Sequence, residues 1–174
     1  MIKQAFMMVL LLVILICTIN IEAAETAEDK FEKIKSLAGV WQGINLEGRP
    51  VLASYEVVSN GSAVMERLEP AGEPTMITMY HMDDQYLMMT HYCSAKNQPR
   101  ISAASETENE NIIHFSFLDI TNLAKSTDGH MNMLELIFKD ENHLSSRCTY
   151  VENNKERIGT FKLEPLSKNH NLYR

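Results

Sequence analysis

His91, Cys93, Asn97, Gln98 and Arg100 fall within residues 91–100 (HYCSAKNQPR), and their side chains could act on one small molecule. A guanidinium can grip a carboxylate through two parallel hydrogen bonds, with neighbouring amides orienting the head group. Arg100 is the expected anchor, with Asn97 and Gln98 beside it and an apolar tail running away beneath. The competing reading has Arg100 and the two amides capping the carbonyls of their own loop. His91 and Cys93 stand two residues apart, so on a strand they share a face and could pair as base and thiol nucleophile. No glycine loop or helix start lies beside them to hold an oxyanion, so no catalytic residue is assigned and a barrel enzyme using Cys93 and His91 remains an alternative.

The six histidines show neither H-x-x-x-H nor H-E-x-x-H spacing, and no metal site is expected. Of the three cysteines, Cys17 lies in the leading apolar segment, leaving Cys93 and Cys148 for the rest of the chain. Neither belongs to a C-x-x-C motif, so zinc or redox chemistry has no support. An oxidising compartment would allow them to pair, and whether they do stays open.

These residues need elements to position them. One amphipathic helix is expected over residues 27–36, where Phe31, Ile34 and Leu37 make a single apolar stripe before Gly39. Short strand-like runs follow over 40–46, 51–59, 62–68, 75–82, 85–93, 100–105, 112–120, 131–139, 143–152 and 157–164. Asn60-Gly61 reads as a two-residue hairpin turn, and Asp83-Asp84 as another. Asn60-Gly61-Ser62 is formally a glycosylation sequon, but the turn reading is preferred. Prolines at 70 and 74 are expected to keep residues 69–74 out of the sheet.

Short connections force antiparallel neighbours, because a parallel pair needs a crossover of a dozen residues or more. The expected fold is therefore all-β: an antiparallel closed β-barrel of about ten strands with a short N-terminal helix, closure being favoured because it removes exposed edges. With Asp83-Asp84 as the turn, Met76, Thr78, Tyr80, Leu87, Met89, His91 and Cys93 share one face. Tyr55, Tyr80, Leu87, Met89, Leu136, Phe138 and Phe161 are expected in the interior.

Residues 1–23 read as an export signal: Lys3, an apolar run over 5–16, then Ala23 and Ala24. That run is about a dozen residues, short of the roughly 20 needed to span a bilayer. The expected division is a signal at 1–23, a helix and linker at 24–36, a barrel at 37–166 and a polar tail at 167–174. The protein is expected to be exported, periplasmic or secreted, and free of the membrane after cleavage. Sixteen Lys and Arg face 23 Asp and Glu, a net charge of −7, and no basic run offers a footprint for nucleic acid.

Leu37-Ala38-Gly39-Val40-Trp41-Gln42-Gly43, placed after a helix and before a meander of strands, resembles the start of the calycin group of lipocalins and fatty-acid-binding proteins. The resemblance implies that Gly39 and Trp41 form the Gly-x-Trp element whose indole plugs one barrel end. It also implies that a basic residue of the last strand, Arg157 or else Lys162, lies over that indole. A narrower resemblance, carried by Thr90-His91-Tyr92-Cys93 and Asn97-Gln98-Pro99-Arg100 with Tyr80-His81 and Thr121-Asn122-Leu123, is to small exported bacterial proteins with lipocalin-like barrels, and brings no reaction with it.

The function expected is binding of a small apolar or amphipathic, lipid-like ligand inside the barrel, at Tyr80, Met89, His91, Cys93, Asn97, Gln98, Arg100 and Phe138, with no cofactor. Resemblance to haem-binding barrels of the nitrobindin type is the alternative, with His91 and then His130 as axial ligand.

Overall fold

A computed structural model describes residues 25–103 and 109–166. The expected signal at 1–23 and polar tail at 167–174 lie outside the described residues. The chain opens with helix α1 (Ala27–Lys35). Ten strands follow: β1 (Gly39–Asn45), β2 (Pro50–Val58), β3 (Ala63–Pro70), β4 (Met76–Asp83), β5 (Tyr86–Tyr92), β6 (Gln98–Ala103), β7 (Ile112–Thr121), β8 (His130–Asp140), β9 (His143–Glu152) and β10 (Lys155–Pro165). Each pairs antiparallel with the next, and β1 also pairs with β10, so the sheet closes into a barrel as expected.

Closure depends on a close backbone approach at the β1–β10 seam. Gly43 stands opposite Leu163, and a Cβ at Gly43 would lie 1.8 Å from the Lys162 carbonyl oxygen. Any larger residue must push the last strand away from the first. At the start of β1, Gly39 has φ +140°, a conformation other residues rarely adopt.

The helix shuts one end of the tube. Thr26 caps it reciprocally with Asp29: Asp29 N donates to Thr26 Oγ1 at 3.1 Å, and Thr26 N donates to Asp29 Oδ2 at 3.0 Å. Phe31, Ile34 and Leu37 are buried where α1 packs on β2, β4 and β5. Each such side chain contributes about 1.5–3 kcal/mol through burial. Trp41 closes the same end, its Nε1 donating to the Leu37 carbonyl at 2.7 Å. Beneath it Tyr80, Leu87, Met89, Ile101, Phe115 and Leu136 are fully buried.

The turns correct the expected registers. Asp83 stays in the ladder opposite Tyr86, and the turn is Asp84–Gln85 with Asp84 at φ 54°. Moving a two-residue turn by one position slides the pairing by two, so Tyr80 faces Met89 and Thr78 faces His91. A slip of two keeps side chains on their faces, and the expected inward face survives. The Asn60-Gly61 register also holds, but Ser59, Asn60 and Gly61 all take positive φ, so pairing begins at Val58–Ala63 around a longer loop. Pro70 lies inside β3 rather than in a loop. It pairs with Val51 on β2, while β4 pairing stops at Leu68, so Pro70 owes no N–H to a ladder on its other side.

The cation–π expectation is overturned. Arg157 lies at the start of β10, at the opposite end of the barrel from Trp41, with its guanidinium 5.1 Å from the Tyr150 ring centroid and paired with Glu152 at 3.1 Å. Lys162 alternates with the inward-facing Phe161 and Leu163 and so points away from the indole.

Gly43→Val is expected to lower unfolding free energy by about 2–3 kcal/mol through this seam clash. Urea denaturation checks it, and a midpoint equal to that of the unaltered chain would contradict the assigned contact.

Candidate functional site

A pocket of about 320 Å³ opens at the end of the barrel away from α1. Leu68, Met76, Met131 and Phe161 supply apolar wall, and His91, Cys93 and Cys148 line it as well. Its rim carries Glu47, Arg49, Glu73, Tyr150 and Arg157. Arg49 is tied to Glu73 at 2.8 Å and reaches Glu47 at 3.8 Å. Both rim guanidiniums thus have carboxylate partners, and the mouth is polar without a strong net sign.

A belt of polar side chains crosses four consecutive strands on the inner face. Tyr55 on β2 stands opposite Glu66 on β3, Glu66 opposite Thr78 on β4, and Thr78 opposite His91 on β5. Glu66 is 3% exposed and accepts from Tyr55 Oη at 3.0 Å on Oε1 and from Tyr80 Oη at 2.7 Å on Oε2. Burial raises the Glu66 pKa, while hydrogen bonds from Tyr80, Tyr55 and Thr78 act the other way. Both tyrosines are held well above the ordinary phenol value, first by burial and then by the nearby carboxylate. Thr78 Oγ1 lies 2.9 Å from His91 Nδ1. With Nδ1 engaged, Nε2 is the His91 ring nitrogen left for the pocket. Burial alone brings the His91 pKa down from 6.5 to about 4, so the imidazole is neutral at neutral pH.

The structure divides the expected site. His91 and Cys93 reach the pocket. Tyr80, Met89 and Phe138 face inward but lie deeper: Tyr80 and Met89 pack in the filled half, and Phe138 sits near the helix with Lys33 Nζ 5.7 Å from its ring centroid. Asn97 is buried and donates through Nδ2 to the Gly129 carbonyl at 2.8 Å, tying two loops together.

Gln98 and Arg100 are not at the mouth at all. Arg100 alternates with the buried Pro99 and Ile101, so it points outward, where it grips Asp119 on β7 through Nε at 2.6 Å and through Nη2. Gln98 Oε1 accepts from Thr121 Oγ1 at 2.8 Å and from Asn122 Nδ2. Strand parity sets this outcome: Arg100 neither reaches the pocket nor caps its own loop, while Gln98 Nε2 does donate to a carbonyl of that loop, Lys96 O at 3.4 Å.

His130 likewise lies outside, with Nδ1 3.0 Å from the Asp128 carbonyl and its ring 5.4 Å from that of Phe117. Cys93 and Cys148 are free thiols. Burial raises the Cys148 pKa above the usual thiol value, against a lowering contribution from the Gly159 backbone, which favours the protonated thiol. Among the described residues no group of three or more His, Cys, Asp or Glu side chains is placed to hold a metal ion.

Glu66 was not anticipated, although its signal is present. It is the one charged member of the Val64, Glu66, Leu68 face, and the Asn60-Gly61 register already sets it opposite Tyr55.

A folded-state pKa below the unfolded value gives stability that is present above pH 6.5 and lost as pH falls toward 4. The His91 shift corresponds to about 3 kcal/mol. Glu66, raised in the folded state, has the opposite sign: it favours folding at low pH and loses that contribution as pH rises through its folded pKa. His91→Gln removes the first contribution and keeps the second. Its unfolding free energy is expected to vary less with acid between pH 6.5 and 4 than that of the native chain, as measured by urea titration at each pH. An identical pH slope would contradict the assignment to His91.

No protein-family model matches the chain, and no curated protein matches it.

Proposed function

We propose that the protein binds a small apolar or amphipathic molecule in the open end of its barrel. The observation that supports this most is the pocket itself: about 320 Å³, walled by Leu68, Met76, Met131 and Phe161, with charged side chains confined to the rim. Apolar concave surface with a few polar groups is the usual composition of a small-molecule site. Two methionines on its wall suit an adaptable surface, since an unbranched thioether repacks around different shapes. An apolar portion would lie over Met76 and Met131, with any polar head near Arg49 and Arg157.

The size constrains the ligand. Small-molecule pockets run from about 300 to 1,000 Å³, so this one sits at the small end. A medium chain or a single substituted ring suits it. A haem does not: His91 offers a nitrogen, but a tetrapyrrole is larger than the drug-sized molecules that such a volume encloses. Export to the periplasm or the exterior belongs to the same proposal and rests on the signal-like pattern of residues 1–23.

Gentle purification followed by native mass spectrometry should show a retained molecule or a protein that takes up 1-anilinonaphthalene-8-sulfonate with enhanced fluorescence. Met76→Trp, which fills the pocket, should weaken that uptake at least ~10-fold while leaving the melting temperature nearly unchanged. A bare mass together with no fluorescence enhancement would overturn the proposal.

A further inference from the structure

We propose that the ligand of this pocket is an extended peptide, docked as an added strand along the free edge of β10. One large apolar side chain of that peptide enters the barrel mouth beside Gly159. The proposal rests on the binding function above and names its class of ligand.

The seam between the first and last strands stops short of the mouth. β1 pairs with β10 from Pro165 only as far as Phe161, whereas β10 begins at Lys155. Over residues 155–160 the strand is paired with β9 alone. The Lys162 carbonyl faces β1, since its oxygen would lie 1.8 Å from a Cβ on Gly43. The two-residue period of an antiparallel ladder then turns Thr160, Ile158 and Glu156 to the same side, past the end of β1. The β9–β10 hairpin gives the same alternation. Asn153 and Asn154, at φ 52° and 59°, form its two-residue turn, and the closing pair Glu152–Lys155 sets the odd-numbered residues of β10 against β9. Among the described residues no backbone group pairs with the outward N–H and C=O of Glu156, Ile158 or Thr160.

The pocket lies against this edge. Arg157, Ile158, Gly159, Thr160 and Phe161 all line it, although alternate residues of a strand point to opposite faces. The cavity therefore borders the strand's edge as well as its inner face, with the β1–β2 turn as the opposing wall. A strand laid in the line of β1 would exchange hydrogen bonds with Thr160 and Ile158. Its residue between them would stand opposite Gly159 and share that residue's face. Gly159 pairs with Cys148, which lines the pocket, so this face is the inner one. With no side chain on Gly159, the incoming one has a clear way to the wall of Leu68, Met76 and Phe161. On the outer face Ile158 is 59% exposed, and the docked strand would cover it. A free lipid supplies the apolar group but not the row of alternating donors and acceptors that this edge matches. In strand addition the main chain gives affinity and the pocket gives side-chain choice.

The test uses the full chain and the peptide acetyl-Ser-Thr-Phe-Thr-Ser-amide, with 1-anilinonaphthalene-8-sulfonate as a probe of the pocket alone. Calorimetric titration should show affinity falling at least ~10-fold when both threonine nitrogens are methylated, because those N–H groups face β10. Methylating the phenylalanine nitrogen, which faces away, should change little. Ile158→Pro removes one edge N–H where proline is tolerated, and should weaken the peptide at least ~10-fold with the melting temperature nearly unchanged. Hydrogen exchange of the free chain should find the Ile158 and Thr160 amides fast and the Gly159 and Phe161 amides slow, with the first two slowed by the peptide.

Equal affinities for the two methylated peptides, or no peptide binding by a chain that takes up the dye, would overturn the peptide inference and leave the pocket standing. Ile158 and Thr160 amides already protected in the free chain would overturn it too. Protection that grows with protein concentration would give the edge to a second copy instead. Failure of both dye and peptide to bind would count against the binding function as well.

Discussion

Backbone pairing between the first strand and the last is the interaction on which the rest of this protein depends. A meander of antiparallel strands left open would expose two rows of unpaired N–H and C=O groups, one along β1 and one along β10. Their pairing, from Trp41–Pro165 to Asn45–Phe161, removes both edges over that span and turns one face of the sheet into an interior. Gly43 permits the approach, because a single methyl group there would collide with the Lys162 carbonyl. Without that seam there is no inside for His91 or Glu66 to face.

The interior is filled unevenly, and this asymmetry leaves a pocket. At the helical end, Trp41 and the α1 stripe cover a packed floor of aromatic and branched side chains. At the other end the wall continues but the filling stops, and the rim is made of paired charges. The buried belt Tyr55–Glu66–Thr78–His91 crosses the inner wall, with His91 as its pocket-lining member. A charged side chain in such a place costs several kcal/mol unless it is fully hydrogen-bonded. Here two tyrosine hydroxyls, one on each carboxylate oxygen, meet that need, and the imidazole of His91 is the member of the belt that lines the pocket.

The strand count, the helix, the barrel and the division of β4 and β5 into two faces were legible from alternation and turn residues, but both faces are mixed and alternation alone did not say which is inside. The site was legible only in part. His91 and Cys93 share the parity of Leu87 and Met89, so they follow the apolar face inward. Arg100 and Gln98 lie beside them in sequence but have the opposite parity to Pro99 and Ile101, and chemistry suited to a ligand went instead to Asp119 and Thr121. Arg157 was misplaced for a different reason. The resemblance named a role for a basic residue of the last strand, but the barrel's length separates Arg157 from Trp41.

Local pattern determined what depends on adjacent residues: the periods of helix and strand, the positions of most turns and the face on which each side chain stands. Those features arise from backbone geometry that repeats every two or 3.6 residues. Tertiary structure alone decided how far β5 slides past β4, and hence that Thr78 meets His91 rather than Met89. It also decided where the interior stays empty, because a void depends on the summed volumes of side chains brought from ten strands into one cross-section.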